Sequence, residues 1–170
     1  MSDTLVTAPS QAQGRPSHPE GIGLRFEGAS TTARFRLLWD EAPETCRAIV
    51  DRMPDRGEAV HAAYSGTVTG ILFDPTVNPP TENASSIVLP GDLLFTHYEA
   101  RSRHGHPDPL SEIYWPYDRY ARPTVPGQFV TFAAPVFASF DGTPQEWQEF
   151  ADRSRATRSA GGIMIDVSFY

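Results

Sequence analysis

Lysine never occurs in the 170 residues: all 14 basic side chains are arginine, against 21 acidic ones, for a formal charge of −7. Its absence removes lysine Schiff-base and lysine general-base mechanisms. Codon composition is the everyday reason for it, because Arg replaces a surface Lys with little structural effect. The shortage of positive charge also opposes phosphate-bearing partners, since nucleic acids and anionic bilayers are held mainly by basic patches and stripes. Neither a nucleic-acid nor a membrane partner is expected. A single cysteine, Cys46, can form no internal disulfide. Apolar runs extend over only a handful of residues, far short of the roughly 20 that span a bilayer. No basic stretch followed by an apolar core opens the chain, so no secretory signal is read and a cytoplasmic location is expected. A nucleophile elbow, a phosphate-binding glycine loop and a paired-cysteine metal motif are missing too.

What is present fits one globular domain. Hydrophobic residues make up 39% of the chain, and a domain of this length buries roughly 70% of the surface its unfolded form exposes. Its 16 prolines are about twice the usual share of roughly 5%, which suits short strands and many turns.

Residues 1–20 are rich in Ser, Thr, Gln, Pro and Gly without apolar period, which predicts a flexible N-terminal tail ahead of a domain over 21–170. Ile22, Leu24 and Phe26, then Ala33, Phe35, Leu37 and Trp39, alternate with other residues and predict a hairpin. Cys46, Ile49, Val50 and Met53 then fall at helical spacing, with Pro43 in the first turn, Glu41 and Glu44 at its positive end, and Pro54 and Gly57 as the stop. Alternation returns over Glu58–Tyr64, with Val60, Ala62 and Tyr64 on one face and His61 on the other, and a further strand is predicted from Val68 to Phe73. Pro75, Pro79 and Pro80 mark a long loop. Strands are predicted at Asp92–Phe95, Ser111–Tyr117 and within Gln128–Phe140, the first two separated by a polar, His-rich excursion. Thr143, Pro144 and Glu146 form a capping box that opens a second helix, which Gly161 and Gly162 stop before a last strand over Ile163–Phe169.

Three ordered segments resemble the cyclophilin-like superfamily: Arg36–Met53, with Asp40-Glu41-Ala42-Pro43-Glu44-Thr45 at its centre; Gly91-Asp92-Leu93-Leu94 followed by Ser111-Glu112-Ile113-Tyr114; and Pro126–Phe132 followed by the capping-box helix and final strand. The resemblance implies a mainly β fold, a closed eight-stranded β-barrel with two capping helices. The chain also resembles a bacterial branch of that superfamily known as a domain of unknown function, through Asp40–Cys46, Gly57–Ala62, Glu82-Asn83-Ala84, Pro90–Phe95 and Ser111-Glu112-Ile113. Prolyl isomerisation in true cyclophilins depends on an arginine in the third strand. No arginine lies in Glu58–Tyr64; the family's glutamine position corresponds to Glu112, its histidine to Phe129 and its tryptophan to the vicinity of Thr124. These departures argue against isomerase activity, because the group that would stabilise the twisted amide is gone.

Glu112 and Tyr114 share a strand face, and the resemblance points that face into the groove, where a carboxylate could bind an amine or amide N–H or act as a base. His61 could meet Glu112 across strands as an acid/base partner, the alternative being a structurally hydrogen-bonded histidine. Tyr64, Asn83, Tyr114 and Phe129 are the candidate ligand-binding residues, with turn chemistry as the ordinary role of Asn83. His97, Glu99, His104 and His106 crowd together without a standard metal-ligand spacing, so a polar loop is expected and neither metal nor cofactor is assigned. Cys46 reads as a core thiol. The leading expectation is a groove that binds a small polar ligand: an amide, an amine or a carboxylate. The competing ones are an enzyme acting on a carbon–nitrogen bond through Glu112 or His61, a residual prolyl isomerase, and an assembly module; a homo-oligomer is compatible with any of them.

Overall fold

The computed structural model describes residues 15–74, 76–102, 107–125 and 130–170. Period-two alternation produces β1 (Gly21–Phe26) and β2 (Ala33–Leu37), which bury Ile22, Leu24, Phe26, Phe35 and Leu37 on one side. Helix α1 (Pro43–Arg52) follows, and Met53, held extended ahead of Pro54, ends it. Then come β3 (Arg56–His61), a single 3-10 turn at Ala63–Ser65, β4 (Val68–Phe73), the two-residue β5 (Ala84–Ser85), β6 (Asp92–Tyr98), β7 (Leu110–Pro116) and β8 (Ala134–Phe140). Helix α2 (Pro144–Ala160) and β9 (Ile163–Phe169) complete the chain.

Eight of the strands run antiparallel in the order β2-β1-β9-β3-β4-β7-β6-β8, and the pairing of β8 with β2 closes them into a barrel. The short β5 hydrogen-bonds to β8 outside that ring. Both bonds of the expected capping box are made: Thr143 N donates to Glu146 Oε2 at 2.6 Å and Glu146 N to Thr143 Oγ1 at 3.3 Å. At the far end Gly161, with φ +86°, takes the left-handed conformation that stops the helix. The helix closes on the barrel through Phe150, whose ring lies 5.2 Å from Trp115, 5.4 Å from Phe26 and 5.5 Å from Phe35. Trp115 is wholly buried, and its indole N–H finds a buried acceptor in Ser154 Oγ at 2.8 Å.

Helix α1 obtains its N-cap from elsewhere in the chain. Ala42 has no side-chain oxygen to offer, and Glu82 takes the role: its carboxylate accepts from the backbone N–H of Glu44 and Thr45 and from the Thr45 hydroxyl. The next residue, Asn83, holds φ +43° and donates its side-chain amide to Val136 O at 2.8 Å. Glu82-Asn83 thus ties the proline-rich segment to both α1 and β8.

Several boundaries differ from the sequence expectations. Residues 15–20 are packed on the barrel rather than free. Arg15 donates to Val50 O and pairs with Asp55, Trp39 donates to Pro19 O, and Leu37 N donates to Glu20 O. The third strand begins at Arg56 and ends at His61, so Tyr64 sits on the 3-10 turn. Ala59, not Val60, faces the barrel core, because its pairing with Ile71 and Ile163 sets the register, and by period two His61 shares that face. β6 runs on through His97 and Tyr98, where a loop was expected.

Candidate small-molecule site on the barrel wall

The barrel wall formed by β4, β7, β6 and β8 is covered on both faces. Ile71, Phe95, Ile113, Trp115 and Phe137 belong to the interior core, while Val68, Leu94, Tyr114, Ala134 and Val136 form a second apolar cluster outside it. This double coverage buries six of the seven residues of β7. Glu112 is one of them, only 3% exposed, on the outer face between Leu72 of β4 and Thr96 of β6.

Phenols surround this carboxylate. Tyr98 donates its hydroxyl to Glu112 Oε2 at 3.0 Å, and the Tyr114 hydroxyl lies 3.1 Å from Thr96 Oγ1. Burial, and then the neighbouring Glu112, push the Tyr98 phenol far up; burial also raises Tyr114, against the hydrogen bond it shares with Thr96. Both therefore stay O–H groups at neutral pH. Gly70 stands opposite Tyr114, and a Cβ there would come within 2.8 Å of Tyr114 Cβ and 2.9 Å of Glu112 Oε1. The glycine makes the room that the carboxylate occupies. A cavity of about 10 Å³ remains, lined by Tyr64, Tyr98, Glu112, Tyr114, Thr124 and Phe132 among others. It holds one water-sized group.

Three of the six residues expected to form the site, Glu112, Tyr114 and Tyr64, therefore meet, although Tyr64 arrives from a turn. His61 does not join them. Its Nε2 is 3.0 Å from Tyr117 Oη on the interior face of the wall, and burial, then Arg158, lowers its pKa. No His61–Glu112 acid/base pair forms, because period two sends these side chains to opposite sides of one sheet. Asn83 spends its amide on β8. Phe129 lies outside the described residues, as do His104 and His106. Among the described residues, no three His, Cys, Asp or Glu side chains cluster as metal ligands. Cys46 donates weakly to Phe137 O at 3.4 Å, and burial pushes its thiol up to about 12, the state of an inert core cysteine. Sequence reasoning missed Tyr98 and Thr96, although extending the alternation Leu94, Thr96, Tyr98 past Phe95 puts both beside Glu112.

Arginine is absent from the cavity lining among the described residues. The arginine that β3 does contain, Arg56, makes ion pairs with Glu27 and Asp166, each at 3.5 Å. No described helix is long and apolar enough to cross a membrane.

An antiparallel eight-stranded barrel, capped by two helices and carrying a buried carboxylate on its outer wall, defines a cyclophilin-like barrel domain. Residues 24–169 match the model of the family described as "Protein of unknown function (DUF3830)", and the chain belongs to that family. No curated protein matches it. Solved structures with a similar fold include McbB in complex with tryptophan, with a TM-score of 0.61 and 16% identity over 86% of this chain and 43% of that one. This chain thus spans less than half the length of McbB. Another is the hypothetical protein AF2241 from Archaeoglobus fulgidus, with a TM-score of 0.53 and 20% identity over 92% of this chain and 99% of that one.

Proposed function

We propose that the protein binds a small molecule through an N–H head group, an amine or an amide, held by Glu112 on the outer wall of the barrel. The observation that carries this reading is a carboxylate 3% exposed, set among tyrosines beside a cavity the size of one water. A carboxylate is an acceptor-only group with several lone-pair sites, so an ammonium or amide N–H that enters the cavity donates to it beside the Tyr98 hydroxyl. Aromatic walls favour a cationic head further. Of the three ligand classes expected from sequence, a carboxylate fits worst, since it would bring a second negative charge against Glu112 in a cavity the size of one water. McbB, part of which has a similar fold, was solved in complex with tryptophan, an amine-bearing molecule; the parallel is of fold alone.

The reading is of a binding site without prolyl isomerase activity; a peptide isomerisation assay is expected to show no rate above the uncatalysed one. Thermal melting in ethylammonium, acetamide and acetate tests the binding itself. A ligand at 100 times its dissociation constant adds about 2.7 kcal/mol of stability. Stabilisation by the amine or the amide, absent with acetate and lost in Glu112→Gln, is expected. Equal responses of wild type and Glu112→Gln to all three would overturn the reading.

A further inference from the structure

A groove of about 450 Å³ runs between the start of β6, the end of β8 and the first turn of α2. Its volume falls within the roughly 300–1,000 Å³ of small-molecule sites, and no residue lines both it and the Glu112 cavity. Leu89, Pro90, Phe140, Pro144 and Trp147 give it apolar sides, and Asp92 is the one charged residue of its lining.

The aromatic side is built by the start of the helix. Pro144 opens α2, and Trp147, three residues on, sets its ring 5.1 Å from that of Phe140 in an edge-to-face pair. Both rings pack on the rim of the interior core and stay partly exposed. Leu89 stands opposite the solvent with 63% of its surface exposed. The groove therefore offers apolar and aromatic surface that the fold itself leaves open.

Asp92 brings a charge to that surface. It begins the pairing of β6 with β8, opposite Ser139. Its Oδ2 accepts from the Leu89 N–H at 2.8 Å, which ties the carboxylate to the segment that forms one side of the groove. Burial raises its pKa against that single hydrogen bond, and no positive side chain among the described residues pairs with it. A partly buried carboxylate without a cation is an unbalanced charge, and the aromatic faces of the same groove attract a cation as well.

We infer that this groove is a second small-molecule site and that it takes an arylalkyl ammonium, whose N–H donates to Asp92 and whose ring lies against Trp147 and Phe140. The inference is independent of the Glu112 reading. It selects for charge as well as for shape: the corresponding alcohol keeps the ring contacts and loses the ion pair, and the corresponding carboxylate opposes Asp92.

An NMR titration of the full chain that follows the Trp147 indole N–H, assigned by its loss in Trp147→Phe, tests it with phenethylammonium, 2-phenylethanol and 3-phenylpropionate. The resonance is expected to move saturably with phenethylammonium, at an affinity at least tenfold above that of the alcohol, and to stay still with the carboxylate. Asp92→Asn keeps an oxygen for the Leu89 N–H and removes the charge, so the variant should fold and bind phenethylammonium no better than wild type binds the alcohol. A Trp147 resonance that ignores phenethylammonium, or that answers the alcohol equally well, overturns the inference from wild type alone. Equal affinity of a folded Asp92→Asn for phenethylammonium overturns it too.

Discussion

The Tyr98 hydroxyl reaches Glu112 Oε2 diagonally across two neighbouring strands, β6 and β7, at 3.0 Å. A phenol whose ionisation is pushed far up can only donate here, so it orients the carboxylate from one side and leaves the acceptor chemistry to Glu112. Tyr98→Phe keeps the ring and removes the donor. Its expected cost is about 1–3 kcal/mol of stability, the price of a buried hydrogen bond lost from one partner. Denaturant midpoints of the two proteins, at unchanged slope, check it.

Gly70 makes a separate prediction. Gly70→Ala drives a methyl against Tyr114 Cβ, Glu112 Oε1 and Ile113 O, all closer than 3.0 Å. Overpacking of this kind costs roughly 1–3 kcal/mol. Amine or amide binding should fall with it, because the carboxylate must shift. Melting temperature and ligand titration of the variant read the two effects separately.

Ser154 joins α2 to the barrel interior independently of the site. Ser154→Ala leaves the buried Trp115 N–H without its acceptor, at an expected cost of about 1–3 kcal/mol. Ligand binding at Glu112 should be unaffected, since Trp115 and Glu112 lie on opposite faces of β7. Chemical denaturation together with titration separates this outcome from a global loss of fold.

Glu149 supplies a pH dependence. The Thr31 hydroxyl, then the Ser30 N–H and hydroxyl, lower its pKa from 4.5 to about 2. A depressed carboxyl stabilises the fold above its unfolded value and loses that contribution as pH falls through the folded one. The melting-temperature difference between wild type and Glu149→Gln should therefore be full above about pH 4.5 and vanish near pH 2. A difference that stays constant across that range would show that Glu149 is not tied to the β1–β2 turn.

Most of the fold was legible because its signals are local. Alternation marks β2 and β9, where one face is buried and the other wet, and Thr143 with Glu146 and Gly161 marks both ends of α2. The errors arise where strands are buried twice or paired at long range. On β3, Val60 and Ala59 are both apolar enough to face inward, and only pairing with β4 and β9 decides for Ala59 and carries His61 with it. On β6, polar Thr96, His97 and Tyr98 read as a loop, yet the cluster that covers the outer face gives Tyr98 and Thr96 partners. Glu112 was legible as a position but not in its environment, since neither the Tyr98 hydrogen bond nor the space beside Gly70 has any signature near it in sequence.

Titration calorimetry of wild type and Glu112→Gln with ethylammonium tests the central claim most directly. The account predicts measurable binding to wild type, at least tenfold weaker binding to the variant, or about 1.4 kcal/mol, and near-equal melting temperatures without ligand. Equal affinities in two equally folded proteins would contradict it, because the buried carboxylate would then have no part in recognition.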